Sequence, residues 1–318
     1  MRIFQSMKPA SGLVFDERYL DHFLETGHPE SPSRLRAIAR KLAETGLRDH
    51  FVSIAPIANP FPHISAIHTP HHVVSVKNIP VTGSVAALAV AGALAAVDAV
   101  CEGRVANAFC AVRPPGHHAR NQGEEEGFCF YNNVAIAARY AQREHGCARV
   151  LIIDWDYHHG NATEESFYAD PSVLFFSTHK WRAYPGTGNP SRQGSGDGHG
   201  YTINVDLGAG ADDRAILKAW DEKLLPAAEA FRPDLVLISA GFDSRKDDFL
   251  GDFRIGDDAF RRMTRMASQL ASIAGGGKVV SLLEGGYNPE GLADGVAAHL
   301  EELLAAPAVP GVPKPGAI

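Results

Sequence analysis

The stretch "RVLIIDWDYHHGN", residues 149–161, joins an apolar run to a dense group of polar side chains. Its first part, 149–154, is β-branched and apolar, which is typical of a buried strand. Two aspartates and two histidines then fall within six positions, 154–159. So many charged and imidazole side chains are unusual at the end of a strand whose role is only to pack in the core. The stretch therefore predicts a functional site at the end of a buried strand.

Similar apolar runs recur along the chain, and helical patterns lie between several of them. The strand-like runs are 108–112, 149–154, 173–178, 201–205, 234–239 and 278–283, and the helical stretches are 132–146, 213–231, 257–274 and 289–305. Buried strands that alternate with helices predict an α/β fold with a parallel sheet covered on both faces. Because no linker interrupts the pattern, we expect one domain over 1–305, followed by a Pro/Gly-rich tail at 306–318.

Composition narrows the class of protein. The chain has 318 residues and a formal net charge of −7, which disfavours nucleic-acid binding and docking on anionic membranes. The four cysteines form no CxxC pair and fit a reducing cytoplasm. No apolar leader run is present near residue 1. The Ala-rich stretch 85–101 is interpreted as a buried helix because it carries Asp98 and is marginal for spanning a bilayer.

A polar cluster follows each of four strand-like runs. The clusters are "RPPGHHA" (113–119), "DWDYHHGN" (154–161), "SAGFDS" (239–244) and "EGGYN" (284–288). The carboxyl ends of parallel strands share one edge of the sheet, where ligands bind. We therefore expect four clusters that are distant in sequence to meet in one pocket.

The residue types in these clusters suit metal-assisted hydrolysis. Asp156 and His158 are two apart, so in extended backbone they point to one side, and Asp243 could complete a three-ligand zinc site. The alternative is that these side chains cap backbone groups. Adjacent His117 and His118 suit acid and base roles, although they could be turn histidines.

Three further observations narrow the reaction class. Tyr287 follows two glycines and could donate to an oxyanion, with simple packing as the alternative. No G-x-S-x-G elbow is present, and Cys129 lies in an apolar setting that disfavours a reactive thiolate. The glycine-rich loop 186–200 is not a phosphate loop because no GK[ST] follows it; we interpret it as a surface loop near the pocket.

Together with "GFCFYNN" (127–133), "TGHPESPSRL" (26–35) and "AIHTPHH" (66–72), the four clusters make the chain resemble the zinc-dependent histone deacetylase family. The strand-end motif is most similar to that of class II members, including bacterial histone-deacetylase-like amidohydrolases, and the family also includes acetylpolyamine amidohydrolases. The resemblance covers nearly the whole chain. It implies the arginase–deacetylase fold, a three-layer α/β/α sandwich with a mostly parallel sheet.

The resemblance also implies a role for each matching residue. The implied zinc ligands are Asp156, His158 and Asp243; the implied catalytic residues are His118 as general base, His117 as its electrostatic partner, Tyr287 on the substrate carbonyl, Asp154 orienting His117 and Asn161 behind His118. The substrate tunnel would be lined by Gly127, Phe128 and Tyr184, with Leu250 at the position that gates it.

A monovalent cation, usually potassium, accompanies zinc in this family. By resemblance it would be held by Asp154, Ser177 and the carbonyls of Asp156, His158 and Thr178. A second cation would use Phe167, Val173 and Tyr201, where Asp170 replaces the expected threonine.

Some residues depart from the family pattern or from related families. Ser244 and Arg245 follow Asp243, without the second aspartate that the related two-manganese arginases need, so one metal is expected. Phe249 replaces a usual proline, and Ala162 a usual glycine. Leu250 stands where a glutamate marks polyamine specificity.

The sequence thus predicts a zinc-dependent deacylase that acts on acyl-lysine in proteins or peptides. An acetylpolyamine or other small-molecule amidohydrolase, and a non-catalytic acyl-lysine binding protein, are the alternatives. Family resemblance also implies a homo-oligomer, either a dimer or a tetramer.

Overall fold

The computed structural model describes residues 10–274 and 276–306, and a sheet of eight parallel strands forms the centre of this part of the chain. Its spatial order is β2-β1-β3-β8-β7-β4-β5-β6. The strands are β1 (Ser11–Val14), β2 (Phe51–Ser53), β3 (Asn107–Cys110), β4 (Val150–Asp154), β5 (Val173–His179), β6 (Thr202–Asp206), β7 (Leu235–Ala240) and β8 (Val279–Leu283). Apart from Ala306, the predicted tail lies outside the described residues.

The inner strands are apolar because both faces of the sheet are covered. Every residue of β3, β4, β5, β7 and β8 is buried, as expected for a parallel sheet between two helical layers. The edge strand β6 instead alternates between buried and partly exposed positions. The six predicted strands are thus present, each within two residues of its expected bounds.

Ten α-helices pack around the sheet in the described residues. They are α1 (Ser33–Glu44), α2 (Phe61–Ile64), α3 (Pro70–Lys77), α4 (Thr82–Cys101), α5 (Asn133–His145), α6 (Asn161–Phe167), α7 (Asp213–Ala219), α8 (Leu225–Phe231), α9 (Asp257–Ser272) and α10 (Pro289–Ala305). One group, α1, α9 and α10, packs together, and α4 packs on α5. Helices on both sides of the sheet give the expected three layers, and the predicted α/β class is confirmed.

Helix α4 belongs to the core. It is long and apolar enough to cross a bilayer by length and composition, and 78% of its most apolar window is buried inside the protein. Its residues contact β1, β3 and β8 as well as α5. Burial of an all-round apolar helix within a domain is the ordinary alternative to a membrane span, which agrees with the interpretation of 85–101 as a buried helix.

The topology brings the four polar clusters together. Strands β3, β8, β7 and β4 are consecutive neighbours in the sheet, and all of them run in the same direction. The segments that follow them therefore leave the same edge side by side. This arrangement confirms that residues 113–119, 284–288, 239–244 and 154–161 share one end of the sheet.

Candidate active site

Three of the predicted ligands form a compact cluster at this edge. One ligand atom from each of Asp156, His158 and Asp243 lies within 4.8 Å of the others. Nδ1 of His158 is 2.9 Å from Oδ2 of Asp243 and 3.2 Å from Oδ1 of Asp156. Two carboxylates and one imidazole, with His158 lining a cavity, are donors that suit a catalytic zinc site.

The backbone holds both carboxylates in place. Asp156 accepts hydrogen bonds from the N–H of His158 and of Gly285, each 2.8 Å long. Asp243 accepts one of 2.8 Å from the N–H of Tyr157. A side chain at Gly285 would collide with both carboxylates, so glycine is required there for the close approach.

The cluster also carries an excess of buried negative charge. Burial and the charge of Asp156 raise the pKa of Asp243 to about 7. Although burial opposes the charged imidazole, hydrogen bonds to Asp156 and Asp243 raise the pKa of His158 to about 10. Both shifts have one physical cause, which is two carboxylates close together in a buried place. The residues present therefore fit a divalent cation such as zinc in chemistry and in charge.

The two adjacent histidines differ in their partners. Nδ1 of His117 lies 2.9 Å from Oδ2 of Asp154, whereas Nδ1 of His118 lies 2.7 Å from Oδ1 of Asn161. An anionic partner stabilises an imidazolium much more than a neutral amide does. Both rings are buried, and their centroids are 4.0 Å apart.

These environments separate the protonation states of the pair. Burial opposes charge on His117, but the carboxylates of Asp154, Asp156 and Glu284 raise its pKa well above the usual value. Burial and the charge on His117 lower the pKa of His118 well below it. At neutral pH, His118 can accept a proton at Nε2 and His117 can hold one, so one acid and one base stand side by side.

Tyr287 is a further titratable group at the site. Its side chain is buried, and burial together with the charge of Asp243 raises the pKa of the phenol well above the usual value. The guanidinium of Arg34 lies 5.1 Å from the centre of the Tyr287 ring. The phenol therefore stays protonated and can donate a hydrogen bond to a substrate oxygen.

A cavity of about 500 Å³ leads to these groups. The residues that line it are His118, Glu125, Gly127, Phe128, Tyr157, His158, Ala183, Tyr184, Leu250 and Tyr287. All four residues that were expected to contact substrate, Gly127, Phe128, Tyr184 and Leu250, are among them. A cavity of this size has room for an acylated amine chain.

The positions predicted to hold potassium lie beneath the cluster. Asp154 pairs with Ser177 across β4 and β5, and both are buried. Oγ of Ser177 is 2.8 Å from Nδ1 of His179, while Oγ1 of Thr178 is buried and finds no hydrogen-bond partner in the part of the chain that the structure describes. At the second cation position, Asp170 forms an ion pair with Arg139. Cation binding at both positions stays a prediction.

Several residues of the site are not among the candidates that the sequence indicates. Arg34 donates to the carbonyls of Glu284 and Gly286, next to Tyr287. The carboxylate of Glu284 accepts hydrogen bonds from the N–H of Gly116 and His117. Arg34 lies in the motif 26–35 and Glu284 in the motif 284–288, and this position within a motif was the signal that could have identified them.

The glycine-rich loop contributes to a second cavity of about 460 Å³. Its residues 186–189 line this cavity together with Asn161, which bonds His118 on the side of the first cavity. The loop thus lies next to the candidate site, as predicted.

The comparisons with known proteins agree with this geometry. A family model described as "Histone deacetylase domain" matches residues 28–303. A probable deacetylase from Archaeoglobus fulgidus is 37% identical over 297 residues, which cover 88% of this chain and 82% of that protein. A polyamine deacetylase, HDAC10, from Homo sapiens is 36% identical over 310 residues, or 88% of this chain and 45% of the human protein.

A solved structure is also similar. The crystal structure of the HDA15 HD domain superposes with a TM-score of 0.86 at 37% identity, covering 92% of this chain and 90% of that one. The chain spans about half the length of several plant histone deacetylases that it matches.

Proposed function

Because the chain belongs to the histone deacetylase family, we propose that it hydrolyses N-acyl amines with the help of zinc, and that its substrate is acyl-lysine in a protein or peptide. The observation that carries this proposal is the meeting of four strand ends at one cavity. There, a three-ligand cluster, a neutral imidazole beside a charged one, and a buried phenol face the same space.

The proposed site would hold zinc between Asp156, His158 and Asp243. When bound, the metal would act as a Lewis acid on the acyl carbonyl and would make water a better nucleophile near neutral pH. The phenol of Tyr287 donates a hydrogen bond to the carbonyl oxygen as it gains charge. His118 accepts the proton of the attacking water at Nε2, because its Nδ1–H is directed at Asn161.

His117 completes the proton transfer in this proposal. Asp154 holds its imidazolium, so the histidine pair stores a proton that can pass to the leaving amine. The aromatic rings of Phe128 and Tyr184 would enclose the carbon chain of the substrate and exclude water from it.

A small acylated polyamine is the second candidate substrate. The carboxylate of Glu125 lines the cavity and could attract a cationic amine. The similarity to the human polyamine deacetylase HDAC10 supports this second candidate. Leu250, however, offers no charge at the gating position, which favours the acyl-lysine substrate.

The proposal extends to location, assembly and the accessory cation. We propose a cytoplasmic protein that binds potassium beside zinc and forms a dimer or tetramer. The four cysteines are free, which supports a reducing compartment.

The first test is turnover of a fluorogenic acetyl-lysine peptide and of acetylputrescine, each with and without a zinc chelator. We expect chelator-sensitive hydrolysis of the peptide, and a loss on the order of 10³-fold or more in Asp156→Ala. Asp258→Ala, on the exposed face of α9, is the matched control and should keep the parent activity.

Each other result has a definite meaning. Chelator-sensitive hydrolysis of acetylputrescine alone would keep the mechanism and replace the substrate. Full activity of metal-free Asp156→Ala would refute the proposed mechanism. An inactive zinc-loaded parent would favour the binding-protein alternative.

A further inference from the structure

The segment between the metal cluster and the mouth of the cavity contains a carboxylate with three backbone partners. Oδ2 of Asp248 accepts hydrogen bonds from the N–H of Tyr287 at 2.7 Å and of Asn288 at 3.1 Å. Oδ1 accepts one of 2.9 Å from the N–H of Leu250. One side chain thus bonds to two separate loops, 247–250 and 286–288.

Both of these loops line the substrate cavity. Leu250 contributes its side chain from the first loop and Tyr287 its phenol from the second. Asn288 adds a further connection, because its side-chain amide donates to the carbonyl of Asp247 at 2.9 Å. The relative position of the gating side chain and the phenol therefore depends on the hydrogen bonds between the loops.

The side chains at the tip of the first loop are poorly buried. The side chain of Phe249 is 70% exposed and that of Leu250 is 39% exposed, so burial stabilises this segment only weakly. Asp247 adopts a left-handed conformation with φ of 67°, which an aspartate tolerates but does not favour. The carboxylate of Asp248 accepts two of the three hydrogen bonds that join this loop to 286–288 in the described residues.

We infer that Asp248 is a positioning residue that sets the distance between the gating residue Leu250 and the carbonyl-binding phenol of Tyr287. This inference rests on the proposed hydrolysis of acyl amines at the same cavity. Asp248 itself does not contact the substrate in this proposal. A displacement of about 1 Å between reacting groups can lower a rate by up to about 100-fold.

The chemistry of the side chain makes the inference testable by conservative substitution. A carboxylate has two acceptor oxygens, one for each loop, whereas the amide of asparagine has a single acceptor oxygen. Asp248→Asn can therefore accept hydrogen bonds from only one of the two loops, and Asp248→Ala from neither. Asp247→Asn is the matched control, since it removes the neighbouring carboxylate and suits a left-handed residue.

The experiment measures steady-state kinetics and amide hydrogen exchange on the zinc-loaded full chain. For Asp248→Ala we expect kcat to fall about 10- to 100-fold and exchange to become faster in both 247–250 and 286–288. Asp248→Asn should lie between the alanine variant and the parent, and Asp247→Asn should match the parent in both measurements.

Two results would overturn the inference. Faster amide hydrogen exchange in 247–250 alone would show that Asp248 supports only its own loop and not 286–288. An unchanged kcat with a raised KM would show that the phenol keeps its place without the carboxylate. If the parent hydrolyses neither acyl substrate, the proposed function fails, while the exchange pattern still decides whether Asp248 connects the two loops.

Discussion

Two groups of buried charges lie next to each other at the active edge of the sheet, and they are balanced in different ways. In the first, the carboxylate of Glu30 accepts hydrogen bonds from Arg113 at 2.5 and 2.7 Å and from Arg34 at 3.1 Å. In the second, the carboxylates of Asp156 and Asp243 share one imidazole, that of His158. We call them the arginine cluster and the ligand cluster.

The arginine cluster supplies its own counter-charge. Although burial opposes ionisation, the hydrogen bond to His22 and the charges of Arg113 and Arg34 lower the pKa of Glu30 well below its usual value. Arg113 also donates to the carbonyls of Tyr19 and His22. The carboxylate of Glu30 is therefore fully paired within the protein, by two guanidinium groups.

Within the described part of the chain, the ligand cluster has no arginine to balance it, and its cationic neighbours are the titratable imidazoles of His158 and His117. Neither carboxylate has an arginine or lysine partner among the described residues, and burial raises the pKa of Asp243 instead of lowering it. Unpaired buried charge is unfavourable for folding unless a partner is supplied. The comparison teaches that a buried carboxylate bonded to arginine stays ionised within the protein, whereas buried carboxylates without arginine are suited to binding a cation.

The largest expected effect comes from breaking the arginine cluster. Glu30→Gln keeps the shape of the side chain but leaves two buried guanidinium groups without their anion. We expect the free energy of unfolding to fall by about 3–5 kcal/mol, measured by urea unfolding of the zinc-loaded protein. Glu102→Gln is the control, because its partner Arg104 and its own side chain are both about half exposed. Equal midpoints for the two variants would contradict this interpretation.

The second prediction concerns the ligand cluster and has an intermediate size. Zinc at 100 times its dissociation constant should stabilise the parent by about 2.7 kcal/mol. Asp243→Asn should lose this stabilisation. Without metal it should be at least as stable as the parent, because one of two neighbouring buried charges is gone and the amide oxygen can still accept from the N–H of Tyr157.

The measurement is urea unfolding with chelator and with zinc, and Asp258→Asn serves as the control. If zinc stabilised Asp243→Asn as much as the parent, the metal would bind elsewhere. If the metal-free variant were several kcal/mol less stable than the parent, the ligand cluster would resemble the arginine cluster after all.

The sequence was sufficient to predict the ligand cluster but not the arginine cluster. Asp156 and His158 follow an apolar strand directly, and the parallel-sheet rule places Asp243 at the same edge. Glu30 and Arg113 are 83 positions apart, and Arg34 lies 252 positions from Gly286. Local spacing carries no information about which distant charges pair, so only the folded chain shows these contacts.

Short elements were missed for a similar reason. Strands β1 and β2 have four and three residues. These are too few for the alternation of apolar and polar residues in a strand to be recognised in the sequence. Strand β1 pairs with β3 and β2 pairs with β1, so the two strands extend the sheet beyond the site. The tether from Asp248 was also missed, because a hydrogen bond to a distant backbone N–H has no signature in sequence.

The smallest expected effect concerns His299, a buried base outside both clusters that has no carboxylate partner within residues 10–274 and 276–306. Its ring nitrogens bond to the hydroxyls of Thr264 and Ser281, and burial lowers the pKa of His299 to about 3. The unfolded chain binds a proton near the ordinary histidine pKa of about 6.5. Below that pH the unfolded state holds more protons than the folded state, so stability falls as the pH falls toward 3.

Between pH 7.5 and 5.5, this histidine alone should lower the free energy of unfolding by about 1.4 kcal/mol. We expect His299→Asn to be less stable than the parent at pH 7.5 but to lose that much less on acidification, as measured by urea unfolding at both values. His50→Asn, at an exposed position, should keep the pH dependence of the parent. If His299→Asn kept the pH dependence of the parent, His299 would have to stay protonated in the folded protein. Burial without a carboxylate partner would then not be enough to lower the pKa of a histidine in this fold.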